Sequence, residues 1–380
     1  MKIKYFHHGL WPSNSPSPTF VTFNAYGFHQ NKYDFELIIT RNSQASKTEI
    51  LKNQFGIEDD IPIHQINTGW FKKQHIVVST LAFFYLLQAE FDILITRNLS
   101  FLPFALLLKR IKKIRVVFES HDFYTDFKLR GITKEKKKTK QRRQELRYIP
   151  KVDGVICVSE MQKHYYEKYY PDQKFLTAVT GIKTHKDYPV KTDFSYKIGY
   201  IGSLKSRDYD LSFLISMFAR VKNPDANLVI AGAKNHNDIK KIESYISMHE
   251  LNNRVQVLPW LPPEEVDELK QEIDIGCAPM IVNPRSRMCS PLKVLEYLSA
   301  GIPVIGTKLE GIEYLVANDV NGFTLENDET RWADAIDGLY SDIEKYRKFS
   351  RECLKTARKF SWKQRARTIY QFLSNEILLK

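Results

Sequence analysis

The sequence predicts an α/β chain made of two parallel-sheet units, on three observations. Its 380 residues exceed the ~250–300 at which a single hydrophobic core stops growing. Short β-branched or aromatic runs alternate throughout with longer amphipathic stretches, the rhythm of parallel strands covered by helices. Near the middle, THKDYPVKTDFS (184–195) lacks either periodicity and carries proline and polar residues, as an interdomain connection does. The boundary is therefore set near 190, giving domains over 1–190 and 191–360.

In the first half, strands are expected at Ile3–His7, Phe35–Ile39, Ile93–Thr96, Arg115–Glu119 and Gly154–Val158. In the second, they are expected at Tyr196–Ile201, Asn227–Ala231, Val255–Leu258, Ile273–Ala278, Pro303–Gly306 and Gly322–Thr324. Helical segments such as Asp210–Val221 and Pro263–Gln271 separate them. The final stretch is amphipathic, with Ala366, Ile369, Tyr370, Phe372 and Leu373 near one face, and residues 361–380 are expected to pack back on the first domain.

Bulk properties narrow the function class. A hydrophobic fraction of 43% with 27% charged residues is that of a folded globular protein. The four cysteines are scattered, without CxxC pairs or histidines at metal spacing, and read as reduced residues of a cytosolic chain. MKIKYFHHGLWPS turns polar too early to hold the apolar core of a signal peptide. The uncharged stretch His75–Ala89 is shorter than the ~20 apolar residues that span a bilayer. Net charge is +13, and Lys128–Arg147 holds ten basic residues. Such a run is either a solvated helix face or a contact for a polyanion, an anionic membrane surface or a nucleic acid.

Ligands of open parallel sheets bind where strand ends meet helix N-termini, so each loop after a strand is a candidate. GSLKSRDYD (202–210) follows the first strand of the second half. Its Gly202 allows close backbone approach, and Lys205 and Arg207 can clamp a diphosphate. NPRSRMCSPLK (283–293) brings Arg285, Arg287 and Lys293 toward an anion, with Ser290 as helix N-cap and Pro291 at the first helical position. Along that helix Lys293, Glu296 and Tyr297 share one side, while Leu292, Leu295 and Leu298 point to the core. The two oxygens of the Glu296 carboxylate suit a pair of vicinal hydroxyls.

SPLKVLEYLSAGIPVIG (290–306) resembles the signature of the retaining glycosyltransferases of the GT-B fold, family 4 (glycosyl transferases group 1). GYIGSL, NLVIAG, RVQVLPWLPPEEV, DIGCAP, GIEYLV and NGF fall in that family's order, as do FESHD, DGVICVSE and the closing FSWKQRA. The resemblance implies two Rossmann-like domains facing each other across a cleft, the first on the acceptor side and the second binding a nucleotide-sugar donor. It implies that Glu296 binds the donor ribose and that Lys205 and Arg207 hold its diphosphate. The turn of Ser290, Pro291, Leu292 and Lys293 would lie along phosphates and sugar with Gly202, Ser203 and Arg287 nearby, and His121 would sit beside the reacting carbon.

Several positions depart from the family. Met288 replaces a glutamate, Ser203 replaces the cation after the glycine, and Thr180-Gly181-Ile182-Lys183 replaces an asparagine-glycine turn ending in aspartate. The first loop is HHGLWPSNSPSPTF in place of a glycine-rich one. The cation-rich loop with Met288 suggests a negatively charged donor sugar or acceptor.

The expected function is transfer of a sugar from a nucleotide-diphosphate donor to an acceptor hydroxyl with retention of configuration. It needs no cofactor and no metal, since fixed cations and helix-end amides meet the charge of the leaving diphosphate. The acceptor is a glycan or a lipid-linked glycan in cell-surface polysaccharide or glycolipid biosynthesis. The enzyme would be cytoplasmic and peripheral on the inner face of the membrane through Lys128–Arg147. The rivals are an epimerase or phosphorylase on the same fold, and a nucleic-acid-binding protein on a degenerate GT-B scaffold. The latter would interleave aromatics with the cations, and only Tyr148 adjoins them; no nucleic acid is expected.

Overall fold

The computed structural model describes residues 1–13, 15–68, 74–129, 139–183, 188–204 and 208–379. The chain divides into two compact units, Met1–Lys183 with Ser361–Lys380, and Thr184–Phe360. The first unit ends before the expected 190 because its last residues are tied within it. Ile182 bridges to Ser361, and the Lys183 ammonium donates to Phe55 O at 3.1 Å. Lys191 already belongs to the second unit, its N–H donating to Ser350 Oγ at 2.9 Å.

The first unit holds β1 (Ile3–Trp11), β2 (Phe35–Arg41), β3 (Ile63–Ile66), β4 (Ile93–Thr96), β5 (Arg115–Ser120), β6 (Gly154–Cys157) and β7 (Phe175–Thr177). They form one sheet in the order β3-β2-β1-β4-β5-β6-β7, every pair parallel. The central strands are wholly buried β-branched runs such as ILIT of β4, which is how a strand covered on both faces reads. The edge strands β3 (IHQI) and β7 (FLT) are largely half-exposed. Lacking an apolar run, neither was visible to the periodicity argument. β1 runs four residues past the expected His7, through an irregularity between His7 and Leu10, to a buried Trp11.

The second unit holds β8 (Lys197–Ile201), β9 (Asn227–Ala233), β10 (Val255–Pro259), β11 (Ile275–Ala278), β12 (Val304–Thr307) and β13 (Gly322–Leu325). Their order, β10-β9-β8-β11-β12-β13, repeats the pattern of the first sheet. Both are therefore doubly wound, with the direction of strand progression reversing between β1 and β4 and between β8 and β11. Such a reversal opens a crevice beyond the carboxyl ends of the strands, because the flanking loops turn to opposite faces.

The helix Trp362–Phe372 returns to the first unit. Trp362, Ala366, Ile369 and Phe372 join one core with Phe20, Phe23 and Phe28 from the helix Pro16–Gln30. Gly27 makes this possible, since a Cβ there would strike the Trp362 carbonyl oxygen. Each large apolar side chain so buried contributes about 1.5–3 kcal/mol.

Candidate functional site

In the second unit the crevice is built from β8 and the helix Leu292–Ser299. Lys293, in the first turn, is 8% exposed. Its ammonium donates to Ile201 O and lies over the rings of Tyr200 and Tyr209, 4.0 and 4.7 Å from their centroids. Burial pulls its pKa down to about 8, against the opposing pull of Glu296. Gly202, just past β8, has φ +156°, and a Cβ on it would collide with the Lys293 ammonium. Only glycine lets this cation approach the strand end. Tyr297 locks the helix to β8, accepting from Ile201 N at 2.8 Å and donating to Gly199 O at 3.3 Å.

Glu296 is half-buried, and among the described residues its carboxylate has no hydrogen-bond or ion-pair partner. Ser203 is exposed beside this cluster, its carbonyl accepting from Tyr200 Oη at 3.2 Å. Lys205 and Arg207 lie outside the described residues.

Four expectations for the helix start are corrected. The helix begins at Leu292, with Pro291 in the cap position and no side-chain cap, so Ser290 is not the cap. The hydroxyl of Ser290 is instead buried and, among the described residues, has no partner. Leu292 is 44% exposed; a core-facing stripe needs a helical register, which starts only here. Lys293 and Tyr297, expected on a polar side, are the buried ones, turned onto the end of β8.

The three cations do not converge either. Arg287 pairs with Glu310, Arg285 lies 3.5 Å from Asp208, and Lys293 faces β8. Close carboxylates on neighbouring loops neutralise the two arginines, leaving Lys293 as the buried cation. Glu310, which nothing local in the sequence marks, keeps a second oxygen buried and, among the described residues, without a partner. Met288, at the end of the turn Pro284–Arg287, is 7% exposed and apolar.

His121 belongs to the first unit, directly after β5. Its Nε2 lies 3.0 Å from Glu119 Oε1, which sets the ring proton on Nε2 and leaves the Nδ1 lone pair as acceptor. Burial and the nearby Arg97 push its pKa down to about 4 despite Glu119, so the ring is neutral at pH 7. The Phe20 ring meets it edge-on at 4.5 Å.

Glu119 is wholly buried. Burial alone would raise its pKa, but the Arg365 guanidinium, with His121 and Arg97, holds it well below the usual carboxylate range. Arg365 comes from the closing helix and donates to Glu119 Oε1 at 2.8 Å and to Val179 O at 3.0 Å. Tyr5 Oη donates to the other Glu119 oxygen at 2.9 Å. Thus the last helix reaches the support of His121 through one ion pair.

A second buried carboxyl steadies the loop after His121. Glu145, on the helix Thr139–Tyr148, accepts from Tyr124 N at 2.6 Å, Thr125 Oγ1 at 2.8 Å and Tyr166 Oη at 2.5 Å. Burial outweighs these donors and raises its pKa to about 7. The same helix carries most of the described part of the basic run, with Lys140, Arg142, Arg143 and Arg147 exposed, and exposed Lys128 precedes it in a turn; residues 130–138 lie outside the described ones.

Two doubly wound units, each gathering polar groups at its strand-order reversal, define the class as a two-unit α/β protein with a ligand-type crevice in each half. A family model described as glycosyl transferases group 1 matches residues 195–342, and one described as glycosyltransferase family 4 matches residues 19–185. Solved structures share the architecture along nearly the whole chain. Anabaena HepE, in complex with UDP and glucose, superposes with a TM-score of 0.70 at 15% identity, covering 98% of this chain and 99% of that one. Staphylococcus aureus TarM, in complex with fondaparinux, α-GlcNAc-glycerol and UDP, does so with a TM-score of 0.72 at 13% identity, covering 99% and 100%. The chain belongs to the GT-B glycosyltransferases of group 1.

Among sequence relatives, TuaH of Bacillus subtilis (strain 168), named for teichuronic acid biosynthesis, is 29% identical over 178 residues, 43% of either chain. A D-inositol 3-phosphate glycosyltransferase of Corynebacterium urealyticum is 23% identical over 181 residues, 46% of this chain and 42% of that one. The match spans less than half the length of each of these relatives.

Proposed function

We propose that the chain transfers a sugar from a nucleoside-diphosphate donor to an acceptor hydroxyl, with retention of configuration and without a metal ion, in making a cell-surface polysaccharide or glycolipid. The observation that carries this reading is the pair Lys293 and Glu296 on one helix at the β8 strand end. A buried ammonium meets the charge that grows on the leaving diphosphate. One turn on, an unengaged carboxylate accepts from the ribose hydroxyls.

In this reaction the acceptor oxygen bonds to the anomeric carbon as the carbon–oxygen bond to phosphate breaks. The acceptor proton passes to an oxygen of the leaving diphosphate on the same face. His121, neutral and held by Glu119, positions the sugar through Nδ1. Teichuronic acid in the name of TuaH supports a polysaccharide product. The UDP bound to HepE and TarM makes uridine the first base to try. A thermal-shift screen of uridine, guanosine, adenosine and cytidine diphosphate sugars tests the reading, because a ligand of the folded state alone raises apparent stability. One base is expected to raise the transition temperature and Glu296→Ala to abolish that rise; no response to any of the four would remove the proposal.

Contact with an anionic membrane is the companion proposal, favoured by a surface the sequence did not single out. The helices Gln74–Gln88 and Leu102–Lys112 pack together and expose Ile76, Phe84, Leu107 and Ile111 at 50, 57, 46 and 54%. Exposed Arg110 and Lys113 adjoin them. Among the described residues no helix is long and apolar enough to cross a membrane, so such a surface would lie on the lipid, at about 1 kcal/mol per cation near it. Sedimentation with phosphatidylglycerol vesicles is expected to carry the protein down, and Phe84→Ser with Ile111→Ser to release it. Equal recovery with vesicles of phosphatidylcholine alone would contradict the anionic preference, and no recovery with either lipid would contradict the contact itself.

A further inference from the structure

At the β1/β4 reversal of the first unit lies a cavity of about 390 Å³ whose walls include His7, His8, Arg97, His121 and Lys140. Arg97 follows β4, with its guanidinium 5.1 Å above the Phe20 ring. Its Nη1 is buried without a hydrogen-bond partner, and among the described residues it forms no ion pair. A guanidinium is charged at any pH a protein meets, so this one is a fixed positive charge whose nearby carboxylate, Glu119, is felt through space but paired with Arg365.

The groups around it are also unfinished. His7 is 4% exposed, and among the described residues its Nδ1 makes no hydrogen bond, with the Asn98 side chain close by. Its Nε2 lies 3.0 Å from Ser17 Oγ; when the serine donates, Nδ1 carries the proton and is left as a donor. Among the described residues, Nδ1 of His8 and Oε1 of Gln141 also lack partners on the same walls. Buried polar atoms almost always find partners, and a cluster of them around one cation marks the place of a ligand. A Cβ on Gly9 would strike the His7 ring, so the bend of β1 that turns His7 inward depends on that glycine.

The charge balance of the cavity is positive. Burial, with Arg97 adding to it, keeps His7 and His8 neutral at pH 7, as it keeps His121. Of the carboxylates nearby, Glu119 is matched by Arg365, whereas Asp122, which accepts from the neutral Tyr124 Oη at 2.8 Å, sets one negative charge on the wall against the cations. Exposed Lys140 adds a second cation at the rim.

We propose that this cavity is an acceptor subsite selecting an anionic group, phosphate or carboxylate, gripped by Arg97 as a two-pronged donor with His7 and Lys140 beside it. This rests on the glycosyl-transfer reading, and it specifies a negatively charged acceptor.

Isothermal titration of the full chain tests it, with UDP saturating the second unit and glucose 6-phosphate, glucuronate and glucose as probes. The two anions are expected to bind at least tenfold tighter than glucose. Arg97→Gln should erase that difference, and Arg97→Lys should restore part of it, while UDP affinity stays within twofold in both variants. Equal binding of charged and neutral probes to the parent protein would overturn the proposal. So would a tenfold loss of UDP affinity in Arg97→Gln, which would assign the cation to the donor diphosphate. Arg97-dependent anion binding in a protein that ignores every nucleoside diphosphate would uphold the subsite and strike the glycosyl-transfer reading instead.

Discussion

Lys293→Met is expected to lower kcat/KM roughly 10²–10³-fold, the size of effect seen when one fixed donor to developing charge is removed. The ammonium is the buried cation at the β8 strand end, held over two tyrosine rings and given its space by Gly202. Methionine keeps the shape of the stem and removes only the charge. Stability at pH 7 should not fall. The folded pKa of Lys293, about 8, lies below its unfolded value, so the buried charge opposes folding below pH 8 and stability rises as pH climbs from there. A loss of turnover without a loss of stability is therefore the signature. In the parent enzyme kcat/KM should decline above pH 8 as Lys293 loses its proton, and that limb should vanish in the variant. A kcat/KM within threefold of the parent would exclude Lys293 from the donor site.

The other large effect is on stability. Arg365→Met strips the cation from Glu119, whose side chain is 0% exposed while that of Arg365 is 2% exposed. Breaking a buried pair from one side costs about 3–5 kcal/mol, because the remaining charge stays buried without compensation. Adding Glu119→Gln should recover most of it, since the amide removes the orphaned charge. The pH profile carries a second signature. A carboxylate with a depressed folded pKa contributes stability that is full above its unfolded value near 4.5 and is lost as pH falls below it. Arg365→Met should flatten that acid loss. Urea unfolding of the first unit measures both, and a cost under 1 kcal/mol for the single variant would mean that the pair does not hold the closing helix.

These two residues differ in how they read from sequence. Lys293 was a candidate from its place before an apolar helical run, though its direction was misjudged. With helix only from Leu292 onward, Leu292 faces solvent, and Lys293 and Tyr297 turn inward. Arg365 sat in the closing motif without attracting notice, because its partner is 246 positions away and nothing local marks either residue as buried. The edge strands β3 and β7 escaped for a related reason, being short, half-exposed and free of an apolar run.

The sequence by itself determined the alternation of strands and helices, the two-unit division and the family, through the ordered motifs ending in residues 290–306. These are local properties, since periodicity and glycine or proline placement act within a few residues. Tertiary structure alone decided which charges are spent and which remain. Arg285 and Arg287 pair with Asp208 and Glu310, and Glu119 with Arg365, while among the described residues Arg97 and Glu296 have no ion-pair partner and Lys293 is turned onto the end of β8. A side chain's charge is written in the chain, but its solvation and its partner depend on contacts made only when distant strands close into one sheet.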